Sequence, residues 1–317
     1  MLAAWEVQVA QVLTVLVLSP LLAGIIARVE ARLQGRHGPR VLQPYLDLAK
    51  LFAKETLAPE EASTVFLLGP IIAFACYLVV PMLIPVLTSF PLPFGYIGDI
   101  LGGGMLLGLA GFMVAWAGAD TASPYAEIGA SRAMTFGSLA EPILIMVVLA
   151  VGVITGTDLP YAMSETIRAS AGAILAPAHV LAAIAFFLLV LFDTGRIPIE
   201  SASGTIELGM IDEGRIFEHS GPLLGLARWG SMMKQMILYT VLIDVFVAPF
   251  GLASTASAGA VGLAVLALVG KEALLGVVVA VVDDSFAKLR LFKITEYLVA
   301  AFLIAVLGLL VYFVGVA

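Results

Sequence analysis

The sequence predicts an all-α, polytopic membrane protein with about eight transmembrane helices and one amphipathic helix on the cytoplasmic side. Two observations carry this. Of the 317 residues, 61% are hydrophobic and only 12% are charged, with a mean hydropathy of +1.08, beyond what a soluble domain needs to fill its core. Apolar runs of about 20 residues, the length needed to cross about 30 Å of hydrocarbon, recur between charged, Pro or Gly boundaries. They fall at residues 8–27, 66–88, 98–118, 135–157, 174–193, 235–252, 257–282 and 297–316.

The first run is expected to stay in the mature chain, because Glu6 rather than Lys or Arg precedes it and no small-residue cleavage site follows. The second holds the single cysteine, Cys76, so this chain builds neither a disulfide framework nor a cysteine-ligated cluster. All Lys and Arg except Arg168 and Lys271 fall in the odd-numbered loops, which places those loops in the cytoplasm and both termini outside. The formal charge of −7 argues against a nucleic-acid partner. The chain reads as one integral membrane domain, 1–317, with two long cytoplasmic loops at 28–65 and 193–234.

In the first loop Arg40, Gln43, Asp47, Lys50 and Lys54 recur at steps of three and four, opposite Leu42, Tyr45, Leu46, Ala49, Phe52 and Ala53. That spacing predicts an amphipathic interfacial helix, started by Gly38-Pro39 and stopped by Pro59. Its charged side is either a solvated face or a docking face for a soluble partner. The second loop gathers six acids, Asp193, Glu200, Glu207, Asp212, Glu213 and Glu218. A helix starting at Pro198 puts Glu200 and Glu207 on one face, as a solvated acidic loop or as a file of carboxylates able to relay protons. A small outer helix is expected between Thr157 and Ala173.

Ionisable groups within spans each call for a partner or a role, because lipid excludes them. Glu141 directly precedes Pro142, whose missing amide should kink the helix beside a buried carboxyl, either proton-handling or structurally hydrogen-bonded. Asp244 and Lys271 stand near mid-span on successive helices and are expected to form a buried pair, structural or functional. Glu272, next to Lys271, points about a quarter turn away and is not expected to pair with it. His179 is expected to be a satisfied core residue, and His37 and His219 lack metal-ligand spacing. The Gly102–Gly104 run opens a span and follows no strand, and no HExxH helix or P-loop occurs, so electron chemistry is expected on other chains.

Three stretches together resemble the family of subunit 1 of respiratory complex I, the NADH-quinone oxidoreductase. The hydrogenase branch is closer still: the membrane subunit of formate hydrogenlyase and of group 4 membrane-bound nickel-iron hydrogenases. RLQGRHGPRVLQPYLDLAKLF (32–52) matches at Gln34, Arg36, Gly38, Pro39, Gln43, Asp47 and Lys50; GADTASPYAEIGASRAMTFGSLAEP (118–142) at Glu141; DTGRIPIESASGTIELGMIDEGRIFEHSG (193–221) at Asp193, Arg196, Pro198, Glu200, Glu207 and Glu218. KLRLF (288–292) and WGSMMKQ (229–235) also favour the hydrogenase branch.

The resemblance implies a non-catalytic membrane anchor and proton-path subunit of an ion-translocating redox complex in the cytoplasmic membrane. Gln34, Arg36, Gly38, Pro39, Gln43, Asp47, Lys50 and Arg196 would dock the hydrophilic arm. Glu141, Asp193, Glu200, Glu207, Glu213, Glu218, Asp244 and Lys271 would form the proton path toward antiporter-like subunits. The nickel-iron centre and iron–sulfur clusters would sit on hydrogenase-like large and small subunits and a ferredoxin-like subunit. Ser203 and Thr205 stand where quinone-reducing relatives carry acids, which counts against a bound quinone. Two other classes remain open: a stand-alone secondary transporter, which would need an internal repeat that the sequence lacks, and a passive anchor without a proton role.

Overall fold

A backbone in lipid must satisfy its polar groups internally, and the chain does so with helices. The computed structural model describes residues 2–169, 171–196, 211–285 and 293–316. Among these, the elements in order are α1 (Ala4–Leu33), α2 (Gln43–Phe52), α3 (Thr64–Leu83), α4 (Ile100–Ala119), α5 (Pro124–Thr155), α6 (Pro160–Ala169), α7 (Ala171–Ile174), α8 (Pro177–Asp193), α9 (Asp212–Arg215), α10 (Gly221–Val241), α11 (Ala258–Ser285) and α12 (Ile294–Val316). Extended pairing among the described residues is limited to the isolated bridge Thr88–Ala253. Seven helices are long and apolar enough to cross a membrane, and α8, with 17 residues, is a shorter apolar helix. Among the described residues, seven clear spans and one short apolar helix come near the eight that the sequence predicts.

The boundaries differ from the expected ones for local reasons. α5 starts at Pro124 instead of residue 135, and α10 at Gly221 instead of 235. Each has proline in its first turn, where the missing amide costs nothing. Arg132, Arg228 and Lys234, expected in loops, therefore ride on helices. α3 ends at Leu83, short of residue 88, because two glutamines of α1 catch the carbonyls that it releases. The Gln11 Nε2 donates to the carbonyls of Pro81 (2.6 Å) and Ile84 (3.0 Å), and Gln8 to that of Met82 (3.2 Å). α2 begins at Gln43 rather than at Gly38-Pro39, which instead form the turn before it. Gly38 has φ +69°, and a β-carbon there would lie 2.8 Å from that of Ala31, so glycine is required twice over. The expected outer helix is α6.

The connections sort onto two faces. On one, Leu2 donates to the carbonyl of Ala256 (2.7 Å) and Ile100 to that of Asp158 (3.1 Å). On the other, Ser63 donates to Asp120 (2.7 Å), Leu57 to Ser220 (2.8 Å), and Arg196 pairs with Glu30. α12 runs antiparallel to α8, with Gly308 against Ala178 and the Tyr297 hydroxyl on the Leu188 carbonyl (2.7 Å). Both termini thus lie on the first face, the terminus face, and both long loops on the second, the loop face. α10 is the central pillar, packed on α1, α3 and α11: 78% of its apolar window is buried, against 22% for α12. It ends in a π-helical turn, Leu242–Val247. Such turns free carbonyls from the regular ladder and recur at functional sites; here buried His179 donates from Nε2 to the Phe246 carbonyl (2.8 Å).

Candidate functional site: a charged cleft under the loop face

A cavity of about 390 Å³ runs between α4 and α5, from Leu101 and Met105 up to Asp193, Asp212, Arg215 and Lys234. The residues that line α4 extend from Leu101 to Ala115, about 20 Å of helix at 1.5 Å per residue. The wall is largely apolar, and its ionisable groups are Glu141, Asp193, Asp212, Arg215 and Lys234.

Glycine makes the cleft possible. A β-carbon on Gly118 would run into the Arg215 carbonyl oxygen, and one on Gly129 would lie 2.6 Å from the Gly214 carbonyl carbon. Only bare backbone on α4 and α5 lets α9 wedge between them. From there Arg215 bonds Asp212 (2.5 Å) and donates from Nη1 to the Gly111 carbonyl (3.3 Å). The Glu141 Oε1 reaches the same strip of α4, 3.6 Å from where a β-carbon on Gly108 would stand. Gly108 and Gly111 are about 4.5 Å apart along the helix axis, so a cation and a carboxylate converge on one glycine-lined track.

The sequence expected Glu141 to be buried. Instead it is exposed on the open side of the cleft, because the glycines of α4 offer no side chain to cover it. α5 continues helical through Pro142. Asp193, at the end of α8, accepts from the Lys234 ammonium (2.7 Å). Glu213 pairs outside the cleft with Arg228 (3.1 Å), and Glu218 is half-buried away from the cavity lining. Glu200 and Glu207, with Pro198, Ser203, Thr205 and the KLRLF stretch, lie outside the described residues.

Asp244 and Lys271 do pair, as the sequence predicts, with Asp244 buried and Lys271 partly exposed, but toward the terminus face, apart from the cleft. Asp244 is fully buried, and the Lys271 ammonium also donates to the Phe250 carbonyl (2.9 Å). The Glu272 carboxyl meets the Thr240 hydroxyl (2.7 Å).

Of the residues read as a docking set, Gln34, Arg36, Gly38, Pro39, Asp47 and Lys50 are exposed on the loop face, and Gln43 donates to Asp47 (2.9 Å). Arg196 pairs with Glu30 at the end of α1. Sequence reasoning missed Glu30, Asp212, Arg215 and Lys234 as site members, and the buried Gln8 and Gln11. The glutamines had a signal, two polar residues three apart inside an apolar run. Beside the cleft, His219 stacks on Phe66 (ring centroids 4.3 Å) and is buried, which pushes its pKa down to about 4. Among the described residues no group of three or more His, Cys, Asp or Glu is placed to hold a metal ion.

A polytopic helical chain with a charged cleft under its loops defines an integral membrane protein. The NADH dehydrogenase family model matches residues 7–314, and the chain belongs to that family, the one that includes complex I subunit 1. It is 32% identical over 306 residues to hydrogenase-4 component C of Escherichia coli (strain K12), covering 96% of this chain and 95% of the relative. It is 33% identical over 282 residues to formate hydrogenlyase subunit 4 of the same organism, covering 89% and 90%. A chain of the membrane-bound sulfane sulfur reductase, an archaeal respiratory membrane complex, shares the fold with TM-score 0.84 at 21% identity, covering 98% of this chain and 99% of that one.

Proposed function

We propose that this chain is the membrane anchor and proton-path subunit of an ion-translocating redox complex of the hydrogenase or complex I type. The loop face, turned to the cytoplasm, receives the hydrophilic electron-transfer arm through the segment from Gln34 to Lys50. The cleft carries protons from beneath that arm toward antiporter-like membrane subunits. Nickel-iron and iron–sulfur centres belong to the partners. The observation that carries the reading is the convergence of Glu141, Asp193, Asp212, Arg215 and Lys234 on one cleft that opens beneath the loops. A carboxylate that lipid should exclude is accounted for when it faces a polar path, and carboxyls held along one wall beside fixed cations suit stepwise proton transfer between the acids.

The kinship with hydrogenase-4 component C and formate hydrogenlyase subunit 4 supports an obligatory place in such an assembly. The exposure of Glu141 on the open side suits a neighbouring membrane subunit that completes the wall. The test is Glu141→Gln in the intact complex in sealed membrane vesicles. Electron transfer should stall or proceed without ion movement, while the soluble subunits still co-purify. Unchanged ion movement would leave a passive anchor. Failure of hydrophilic subunits to co-purify with the wild-type chain would remove the docking role.

A further inference from the structure

Away from the cleft, α11 carries two adjacent ionisable residues that face different neighbours. Lys271 turns to Asp244 on the π-helical turn. Glu272, 1% exposed, turns to Thr240 one turn earlier on α10. The Thr240 hydroxyl oxygen lies 2.8 Å from the Met236 carbonyl and 2.7 Å from the Glu272 Oε1.

A hydroxyl has one hydrogen and two lone pairs, and a backbone carbonyl only accepts. That hydrogen cannot serve both contacts; we assign it to the carbonyl at i−4, the usual back-bond of a helical threonine. The short contact with Glu272 then needs a hydrogen from Glu272 itself. The surroundings agree. The Glu272 Oε2 is buried with no hydrogen-bond partner, and the niche beside it, about 10 Å³, is lined by Leu18, Leu21, Leu22, Ile25, Met236 and Val269. An ionised carboxylate there would have one oxygen bare in an apolar pocket; a neutral acid would have only an unpaired carbonyl. The charges near Glu272 are Asp244 and Lys271. α1 presents only apolar side chains at this level, and α10 adds Thr240 and the neighbouring Tyr239. One ammonium serves two carboxyls, and it is already engaged by Asp244.

We propose that Glu272 is held as a neutral carboxylic acid, its O–H donating to Thr240, and serves as a proton store one turn from the Asp244–Lys271 pair. Its purpose rests on the proton-path reading above.

The test is an infrared pH titration of the full-length chain in lipid nanodiscs, following the carbonyl stretch of protonated carboxyls. The wild type should show that band at neutral pH. Glu272→Gln, which keeps the shape and can donate an N–H to Thr240, should lose it, and Asp244→Asn should retain it. Thr240→Val should shift it to higher frequency without removing it. Lys271→Met should about double it, because Asp244 then also takes up a proton. A wild type without the band at neutral pH, or a Glu272→Gln chain that retains it, would overturn the proposal. Failure of the cleft reading would appear separately, in the Glu141→Gln vesicles, with this band intact.

Discussion

The cleft beneath the loop face and the α10–α11 cluster contain the same residue types in opposite surroundings. In the cleft, Asp193 and Lys234 stand on a wall open to a cavity of about 390 Å³, and their side chains are 30% and 12% exposed. In the cluster, Asp244 is fully buried, and the space beside Glu272 is about 10 Å³, the least that can hold one water. The difference teaches that sequence position within a span does not set how a charge is accommodated. Glycines on the neighbouring helix leave an open track beside the charges; leucines and isoleucines close it, and the carboxyls there depend on specific bonds.

Substitutions that remove one partner should separate the two regions most sharply. Lys271→Met strands Asp244 in a dry site and should lower stability by about 3–5 kcal/mol, read as thermal unfolding in detergent. Adding Asp244→Asn should recover most of that loss, and a pair as exposed as the one in the cleft would show no such recovery.

Next in size is an acid effect beside the cleft. The unfolded chain protonates His219 near 6.5, the folded chain only near 4. Between those values the unfolded state binds the extra proton, so stability is full above pH 6.5 and falls as pH drops toward 4. The total is on the order of 3 kcal/mol at one pKa unit per 1.4 kcal/mol. His219→Phe, which keeps the stack on Phe66, should flatten that slope in a pH series of melting temperatures. Lys234→Met should cost less than Lys271→Met, because Asp193 is 30% exposed on the cavity wall; an equal loss would erase the contrast between the regions. Smallest is Glu141→Gln, within about 0.5 kcal/mol of wild type, since an exposed carboxylate stabilises little; its effect belongs to ion movement.

The crossings were legible because lipid forces every span into a long apolar run. Their ends were less so. The helix starts at Pro124 and Gly221 lie in polar stretches that hydropathy alone scores as loops, although proline in each first turn was a usable signal. The Asp244–Lys271 pair was readable as two isolated charges at similar depth on consecutive helices. Glu30–Arg196 was not, since 166 residues separate the partners and both look like ordinary helix-end charges. The depth of Glu141 was misjudged for a related reason: whether a neighbouring helix covers a carboxylate depends on which of its faces carries glycine, and that needs the packing of α4 on α5.

The shortness of α8 has a consequence for the terminus face. With 17 residues it spans about 25 Å, some 5 Å less than the hydrocarbon. Gly308 of α12 is level with Ala178 near its start, so the last eight residues of α12 run on past it. The shortfall is filled by α6, whose Tyr161, Met163 and Ile167 are buried and which rests on the π-helical turn. α6 thus packs against the terminus-face end of the bundle, and any route from Asp244 toward that face must pass around it.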